Sequence, residues 1–457
     1  MFAFDIKKSI DSWPSYRITW MVLVVAFFAL LPAWLNYDII SRDGAFQYIP
    51  TASLFLEGRL LDGLARPQLP LFPLLLAGFS KVLGLDLEMS GRLISALGFI
   101  LASLGIYKVS EFIFKNRWVA LLSVIFLISN RELIDRSVDC LKESLLISFV
   151  LWGNYLILKG TNVERFEKAL YLISGVLLLL LGTMVRTTAL FFLGAWIIMW
   201  AFRKKEGLPL RVIILASPVG ALILLILLKP ELAIFNRKGF AVIALLSAWP
   251  GLIGMLRSGL NIAGNFFATG NCLIIFFGCL ALYFSRINAY YVHLCLVLTI
   301  FFVVLSIMGW TSDRYLLAPI VWLYPMASYA CVRAVKSINK PIKILAVIAI
   351  ISCPIMWADK AFAPPDPDKI ARKEAGLWIL SQIGPDQEVA TNRDRLAFYA
   401  KGIYTPLPNA LDKKDIQHCM AVDTLHEDGK AMKIQLDSKG IEPDKRFGAI
   451  HVYLPGS

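Results

Sequence analysis

The sequence predicts an α-helical polytopic membrane protein of about eleven transmembrane helices, ending in a small soluble α/β domain. Three observations carry this expectation. Hydrophobic residues fill 58% of the 457 positions. Mean hydropathy is +0.66, and apolar stretches of bilayer-crossing length recur through the first three quarters of the chain. Charge divides the same way, because residues 359–457 hold 14 Lys/Arg against 15 Asp/Glu while residues 1–358 hold 32 against 18. The surplus of positive charge therefore belongs entirely to the apolar part. There the basic residues sit in short loops between apolar runs, which makes them topology signals and sets nucleic acid aside as a partner.

The first apolar run, about 18–37, follows Lys7, Lys8 and Arg17, lacks a small-residue cleavage signal and precedes further spans, so it reads as a retained helix. The other spans are expected at about 89–107, 118–130, 141–158, 169–183, 188–202, 209–228, 267–284, 290–309, 315–332 and 343–358. With the N-terminus in the cytoplasm, every inside loop is basic. The first two carry Lys108, Lys115 and Arg117, then Lys159, Arg165 and Lys168. Next come Arg203, Lys204, Lys205 and Arg211, then Arg286, then Arg333, Lys336, Lys340 and Lys343. The opposite side keeps Arg131, Arg136 and Arg186 at tight turns and Lys229, Arg237, Lys238 and Arg257 in a longer loop; anion binding is one reason for them, and headgroup contact or snorkelling is the other.

Two outer segments exceed simple turns. Residues 38–88 contain an apolar piece, Leu69–Leu83, interrupted by Pro70 and Pro73, which suits the membrane interface or a re-entrant path. Residues 229–266 contain a helix-like piece at Phe240–Trp249, followed by Pro250, Gly251, Gly254 and Gly259 as breakers. An odd span count places the tail outside. Its boundary is Ala363–Asp368, rich in proline, so the chain divides into a membrane domain at 1–358 and a soluble domain at 359–457. In the tail a helix is expected at about Asp368–Gln382, a strand at Glu388–Thr391 and a late strand at Phe447–Tyr453.

The seven cysteines form no C-x-x-C pair and the four histidines no H-E-x-x-H, so neither a disulfide framework nor a histidine-bound metal is indicated. The tail has no nucleophile elbow, P-loop or dinucleotide fingerprint.

Chemistry is best placed at Ser41-Arg42-Asp43-Gly44-Ala45-Phe46-Gln47-Tyr48, directly after the first span. Asp43 lies between the membrane and Tyr48, with Gly44 leaving room for close approach, and a carboxylate there suits a general base. The alternative is that Asp43 merely caps the following helix. Arg66 precedes Pro67, and Arg314-Tyr315 opens a late span; a guanidinium at headgroup depth can grip phosphate oxygens with two parallel hydrogen bonds. Asp139 and Glu143, four apart, are expected to face one way from the start of a helix. Their alternative role is neutralisation by Arg136 and Lys142.

Ser41-Arg42-Asp43-Gly44 with Tyr48, Gly58, the run Arg66-Pro67-Gln68-Leu69-Pro70-Leu71-Phe72-Pro73, Gly91-Arg92-Leu93 and Arg314-Tyr315-Leu316-Leu317-Ala318-Pro319 together resemble the GT-C membrane glycosyltransferases, of the protein O-mannosyltransferase and lipid A aminoarabinose transferase kind. Ala375–Ile379 and Phe398-Tyr399 in the tail are similar to related bacterial proteins. The resemblance implies sugar transfer from a polyprenyl-phosphate carrier to a glycan, lipid or protein acceptor outside the bacterial cytoplasmic membrane. It implies that Asp43 is the general base, that a second-loop carboxylate recurs, with Asp139 ahead of Asp135 by its place near a helix start, and that Arg66 and Arg314 bind donor phosphate, with Tyr48 and Tyr315 beside the substrates. Gly44 stands where the family often has a second acidic residue.

Such a reaction needs one base and a cationic phosphate clamp, since phosphate is already a good leaving group, and a single displacement inverts the anomeric centre. A divalent cation is compatible with it, but no metal ligand or other cofactor is assigned from the sequence. A polysaccharide polymerase or ligase, a transporter and a non-catalytic envelope scaffold remain the alternatives. The charge pattern itself makes one test: a topology reporter fused after Ser457 should be active only outside the cytoplasm, and cytoplasmic activity would mean that the span count is even.

Overall fold

The computed structural model describes residues 13–37, 39–163, 165–202, 251–284, 289–308, 312–407 and 419–454. The expected span at 209–228, the piece Phe240–Trp249, and Arg203, Lys204, Lys205, Arg211, Lys229, Arg237, Lys238 and Arg286 lie outside the described residues. Two compact units emerge: residues 1–35 with 51–362, and residues 36–50 with 363–457.

The larger unit is a bundle of helices. α1 spans Ser15–Leu35, and after it come α2 (Ile49–Leu56), α3 (Leu60–Ala65) and α4 (Leu71–Leu83). Pro70 and Pro73 do not break α4. They fall at its N-cap and in its first turn, where no intrahelical N–H bond is lost. α5 (Leu87–Phe114) starts where the Asp86 carboxylate accepts from the Met89 N–H at 2.7 Å, and it stops at Lys115, which adopts the left-handed region (φ 50°). Asn116 then caps α6 (Arg117–Ile128), a helix of 12 residues where a short span is expected at 118–130, and Asn130 caps α7 (Arg131–Val138). α8 (Glu143–Gly160), α9 (Arg165–Val185) and α10 (Ala189–Phe202) follow as a consecutive series.

Beyond residue 250 the larger unit continues with α11 (Gly251–Gly270), α12 (Cys272–Phe284), α13 (Ala289–Met308), a 3₁₀ turn at Asp313–Tyr315, α14 (Leu317–Val335) and α15 (Lys340–Ala361). Among the described residues five helices are long and apolar enough to cross a membrane, and seven spans result if each of two bent pairs counts as one. The bends are corrections to the expected spans. The helix in the span expected at 141–158 starts only at Glu143 and is bent by 113° from α7, and residues 267–284 are split at Asn271 (φ 63°) into α11 and α12, bent by 105°. Gly254 and Gly259, expected as breakers, lie inside α11, since glycine only weakens a helix that retains its backbone bonds.

Close packing of α5 against α8 explains three glycines at seven-residue spacing. A methyl group at Gly91 would collide with the Cys140 sulfur, one at Gly98 would lie 2.6 Å from the Leu145 nitrogen, and one at Gly105 would lie 3.0 Å from Leu151 Cβ. Small residues let helices approach in this way where lipid provides no hydrophobic drive for association. Ser95, between the first two glycines, donates to the Leu141 carbonyl at 2.6 Å, and the Ser144 hydroxyl donates to the Ser95 carbonyl at 2.7 Å.

The smaller unit contains a five-stranded sheet of order β2-β1-β3-β5-β4, formed by β1 (Glu388–Thr391), β2 (Ile403–Thr405), β3 (Cys419–Asp423), β4 (Lys445–Phe447) and β5 (Ile450–Tyr453). β1 runs parallel to β2 and β3, whereas β5 runs antiparallel to β3 and β4. The late strand expected at Phe447–Tyr453 is therefore a hairpin, turned at Gly448 (φ 55°). On one face α16 (Pro367–Ile383) and α17 (Asp394–Tyr399) bury Ala375, Ile379, Leu396 and Ala397 against Val389, Ala421 and Val452; on the other α18 (Glu427–Ser438) buries Met432 and Leu436 against Ala390, Met420 and Val422. The alternation of Val389 and Ala390 between the faces is the two-residue period of a strand.

Gly98→Ala should lower the thermal unfolding midpoint of the purified protein, by an equivalent of about 1–3 kcal/mol, because the methyl group meets α8 backbone that cannot turn aside. Gly78→Ala in α4, where nothing stands within 4 Å, should leave the midpoint unchanged or raise it slightly.

Candidate active site

The smaller unit holds Asp43. Ser41 begins its segment: the Ser41 hydroxyl accepts from the Gly44 N–H at 3.2 Å and the Ser41 carbonyl from the Ala45 N–H at 3.0 Å. These are the bonds of a helix N-cap, so Ser41 performs the capping that the sequence offered as the alternative role of Asp43. Asp43 is helical (φ −65°, ψ −39°) and its side chain makes no cap bond. Its Oδ1 accepts from Gln47 Nε2 at 2.9 Å instead. Gly44–Tyr48 is a π-helical turn, a form concentrated at functional sites because its wider loop redirects side chains. Asp43 is half-buried, whereas Gly44, Ala45 and Tyr48 are buried. Within the same unit the Ile40 N–H donates to the Tyr399 hydroxyl at 3.0 Å, Arg42 Nε pairs with Asp394 Oδ2 at 2.7 Å, and the Phe46 and Phe398 rings meet edge-on at 6.3 Å.

In the larger unit a second group of polar residues surrounds the α7–α8 bend. Glu143 opens α8 and Arg186 follows α9; Arg186 Nη1 donates to Glu143 Oε1 at 2.7 Å with both side chains buried. The same nitrogen donates to the Arg314 carbonyl at 3.3 Å, and the Arg186 guanidinium lies 4.2 Å from the Tyr315 ring centroid. The Arg314 guanidinium stands 5.7 Å from that ring. Arg186 thus ties the 3₁₀ turn Asp313–Tyr315 to the start of α8 through an ion pair, a backbone bond and a cation–π contact. Arg92 supports the bend, since its Nε donates to the Val138 carbonyl at 3.0 Å and its Nη2 to the Trp34 carbonyl at 2.9 Å.

Asp139 and Glu143 do not share a helix face, contrary to the expectation from their spacing. Asp139 is the extended C-cap of α7 (ψ 168°), and its Oδ1 accepts from the Cys140 N–H at 2.6 Å, while Glu143 belongs to α8. Nor does Arg136 neutralise Glu143; it pairs with Glu132 at 3.5 Å. Other charges near the bend pair with the end of α15, Arg131 with Asp359 at 3.1 Å and Lys360 with Asp135 at 2.6 Å. Arg66 is exposed at the C-cap of α3 in extended conformation (φ −64°, ψ 150°). Arg314 and Tyr315 are brought together with Arg186; Asp43 and Tyr48 belong to the other unit. Sequence reasoning named Arg186, Glu143 and Arg92 but assigned them neither to one another nor to the bend. Their pairing has no local signal, because Glu143 and Arg186 stand 43 residues apart. Among the described residues no three His, Cys, Asp or Glu side chains gather into a group able to hold a metal ion.

The sequence profile of the family described as dolichyl-phosphate-mannose-protein mannosyltransferase matches residues 65–234. A comparison with curated proteins found no match. Among solved structures the chain is similar to ArnT from Cupriavidus metallidurans bound to undecaprenyl phosphate, with TM-score 0.63 and 12% identity over 96% of this chain and 98% of that one. Similarity to the apo form of the same protein has TM-score 0.60 and 13% identity over the same shares. For the archaeal oligosaccharyltransferase AglB from Archaeoglobus fulgidus, in complex with an inhibitory peptide and a dolichol-phosphate, the TM-score is 0.53 at 13% identity over 87% of this chain and 65% of that one. At such identities the likeness establishes the fold: a GT-C-like polytopic membrane fold with a small C-terminal α/β domain.

The buried pair yields a prediction independent of catalysis. Glu143→Gln should strand the Arg186 guanidinium and destabilise the purified protein by about 3–5 kcal/mol, measured by thermal or denaturant unfolding. Replacing both residues, Glu143→Gln with Arg186→Met, should cost less than the two single losses combined.

Proposed function

We propose that this chain is a membrane glycosyltransferase that moves a sugar from a polyprenyl-phosphate carrier to an acceptor hydroxyl, with Asp43 as general base. The observation that carries this reading is the likeness, along nearly the whole chain, to a protein solved with undecaprenyl phosphate bound. Family resemblance in the first loop, the profile match and a carboxylate left out of helix capping support it.

In this mechanism the Asp43 carboxylate takes the proton of the acceptor hydroxyl as its oxygen attacks the anomeric carbon. The bond between that carbon and the phosphate oxygen breaks, and the electron pair leaves with polyprenyl phosphate. Attack opposite the leaving group inverts the anomeric centre. Arg66 and Arg314 neutralise the phosphate, and a paired guanidinium geometry favours it over a point charge. Tyr315 gives the late arginine a neighbouring ring, and Tyr48, buried as it is, shapes the segment that bears Asp43. Asp139 is the second carboxylate of the reading. We place the chain in a bacterial cytoplasmic membrane with eleven spans, a cytoplasmic N-terminus, outer loops at 38–88 and 229–266 and an extracytoplasmic tail at 359–457. The acceptor is a glycan, a lipid or a protein.

Two measurements test this. Purified protein incubated with a panel of polyprenyl-phosphate sugars should release free polyprenyl phosphate from at least one of them; release from none of a broad panel would favour a polymerase or a scaffold. Asp43→Asn, folded and still binding donor, should lose at least about 100-fold in turnover, because an amide cannot accept the proton. Full turnover in that variant would remove Asp43 from the chemistry and make Asp139 the next carboxylate to test. Arg66→Ala and Arg314→Ala should weaken donor binding, and lysine at either position should restore only part of it.

A further inference from the structure

We propose that the soluble domain positions the general base: α17 grips the Ile40–Phe46 segment, and Tyr399, Asp394 and Phe398 are positioning residues for Asp43. The inference rests on the reading of Asp43 as base and gives the tail a task in turnover.

Contacts occur at three levels along one side of the segment. Tyr399, itself buried, accepts the Ile40 N–H three residues before Asp43. That N–H is buried and lies ahead of the helix that begins at Arg42, so no helical carbonyl is there to receive it. Asp394 pairs with Arg42, the immediate neighbour of Asp43, and Phe398 meets Phe46 three residues after it. A helix of six residues therefore touches the segment before, beside and beyond the carboxylate. The exposed ion pair contributes little alone; the buried hydrogen bond and the ring contact supply the fixed geometry.

α17 is itself anchored at the sheet. Its N-cap, Arg393, donates from Nε to Asp423 Oδ2 at 3.1 Å, and Arg372 of α16 donates to the same oxygen at 3.0 Å. The Asp423 side chain is fully buried at the end of β3, and the Leu425 N–H occupies its other oxygen at 3.1 Å. Gly376 lets α16 approach closely, because a methyl there would lie 2.7 Å from the Leu396 carbonyl and from Tyr399 Cβ. The carboxyl ends of β1 and β3, where the following helices diverge to opposite faces of the sheet, thus define where α17 stands. A base displaced by about 1 Å loses the alignment on which proton transfer depends, so rigidity of this mount bears on turnover more than on donor binding.

The experiment uses the full-length protein with a polyprenyl-phosphate sugar and measures kcat, donor KM and amide hydrogen exchange. Tyr399→Phe keeps the ring and its packing but removes the acceptor for Ile40. It should lower kcat about 10-fold with donor KM unchanged, and should speed exchange at residues 40–48 while the sheet stays protected. Arg42→Asp should lower kcat, and adding Asp394→Arg should recover most of the loss, a rescue that simple destabilisation of the tail does not produce. Unchanged kcat and unchanged exchange in Tyr399→Phe would overturn the proposal, as would a charge exchange that rescues nothing. Asp43→Asn, measured alongside, separates the two ideas. If it is inactive while the α17 variants keep full kcat, positioning fails alone; if it is active, the general-base reading fails and takes the catalytic meaning of this contact with it.

Discussion

Backbone polar groups at membrane depth have to be satisfied inside the protein, and this constraint governs where the bundle is polar. An unbroken helix meets it by itself. At a break the freed carbonyls and amides need side chains, and the α7–α8 bend gathers them: Ser95 on Leu141, Arg92 on Val138 and Asp139 on Cys140. The break between α11 and α12 is served in the same way, since the Asn271 side chain accepts from the Leu273 N–H and donates to Ser352.

Electrostatics at the bend follows from burial. An isolated guanidinium or carboxylate there would be costly, so Arg186 and Glu143 occur as a pair, and Arg186 also meets the Arg314 carbonyl and the Tyr315 ring. The arrangement fixes the backbone from which the Arg314 side chain projects.

The smaller unit pairs a buried charge of its own. Its buried charge, Asp423, is shared by Arg372 and Arg393, and this network holds α17 at the sheet. Since residues 36–50 fold with this unit, the first loop is structured by residues more than three hundred positions away, as the 359-residue separation of Ile40 and Tyr399 records.

Much of this was legible in the sequence, because its causes are local. Apolar run length declared the membrane bundle, and the proline-rich boundary preceded a helix expected at about 368–382, where α16 lies. The strand Glu388–Thr391 was readable from its residue types. The bend at 139–142 was not, since Asp139-Cys140-Leu141-Lys142 contains neither glycine nor proline and is held open by Ser95 and Arg92 from another helix. Of the candidate site, sequence by itself determined that Asp43 stands in a polar segment after a span and that arginines border apolar runs. Only the tertiary structure decided that Glu143 belongs to Arg186 and that the Asp43 segment lies against α17. The reason is physical: propensity, capping and hydropathy act over a few residues, whereas ion pairs and close-packed glycines are chosen by helices that meet only after the chain has folded.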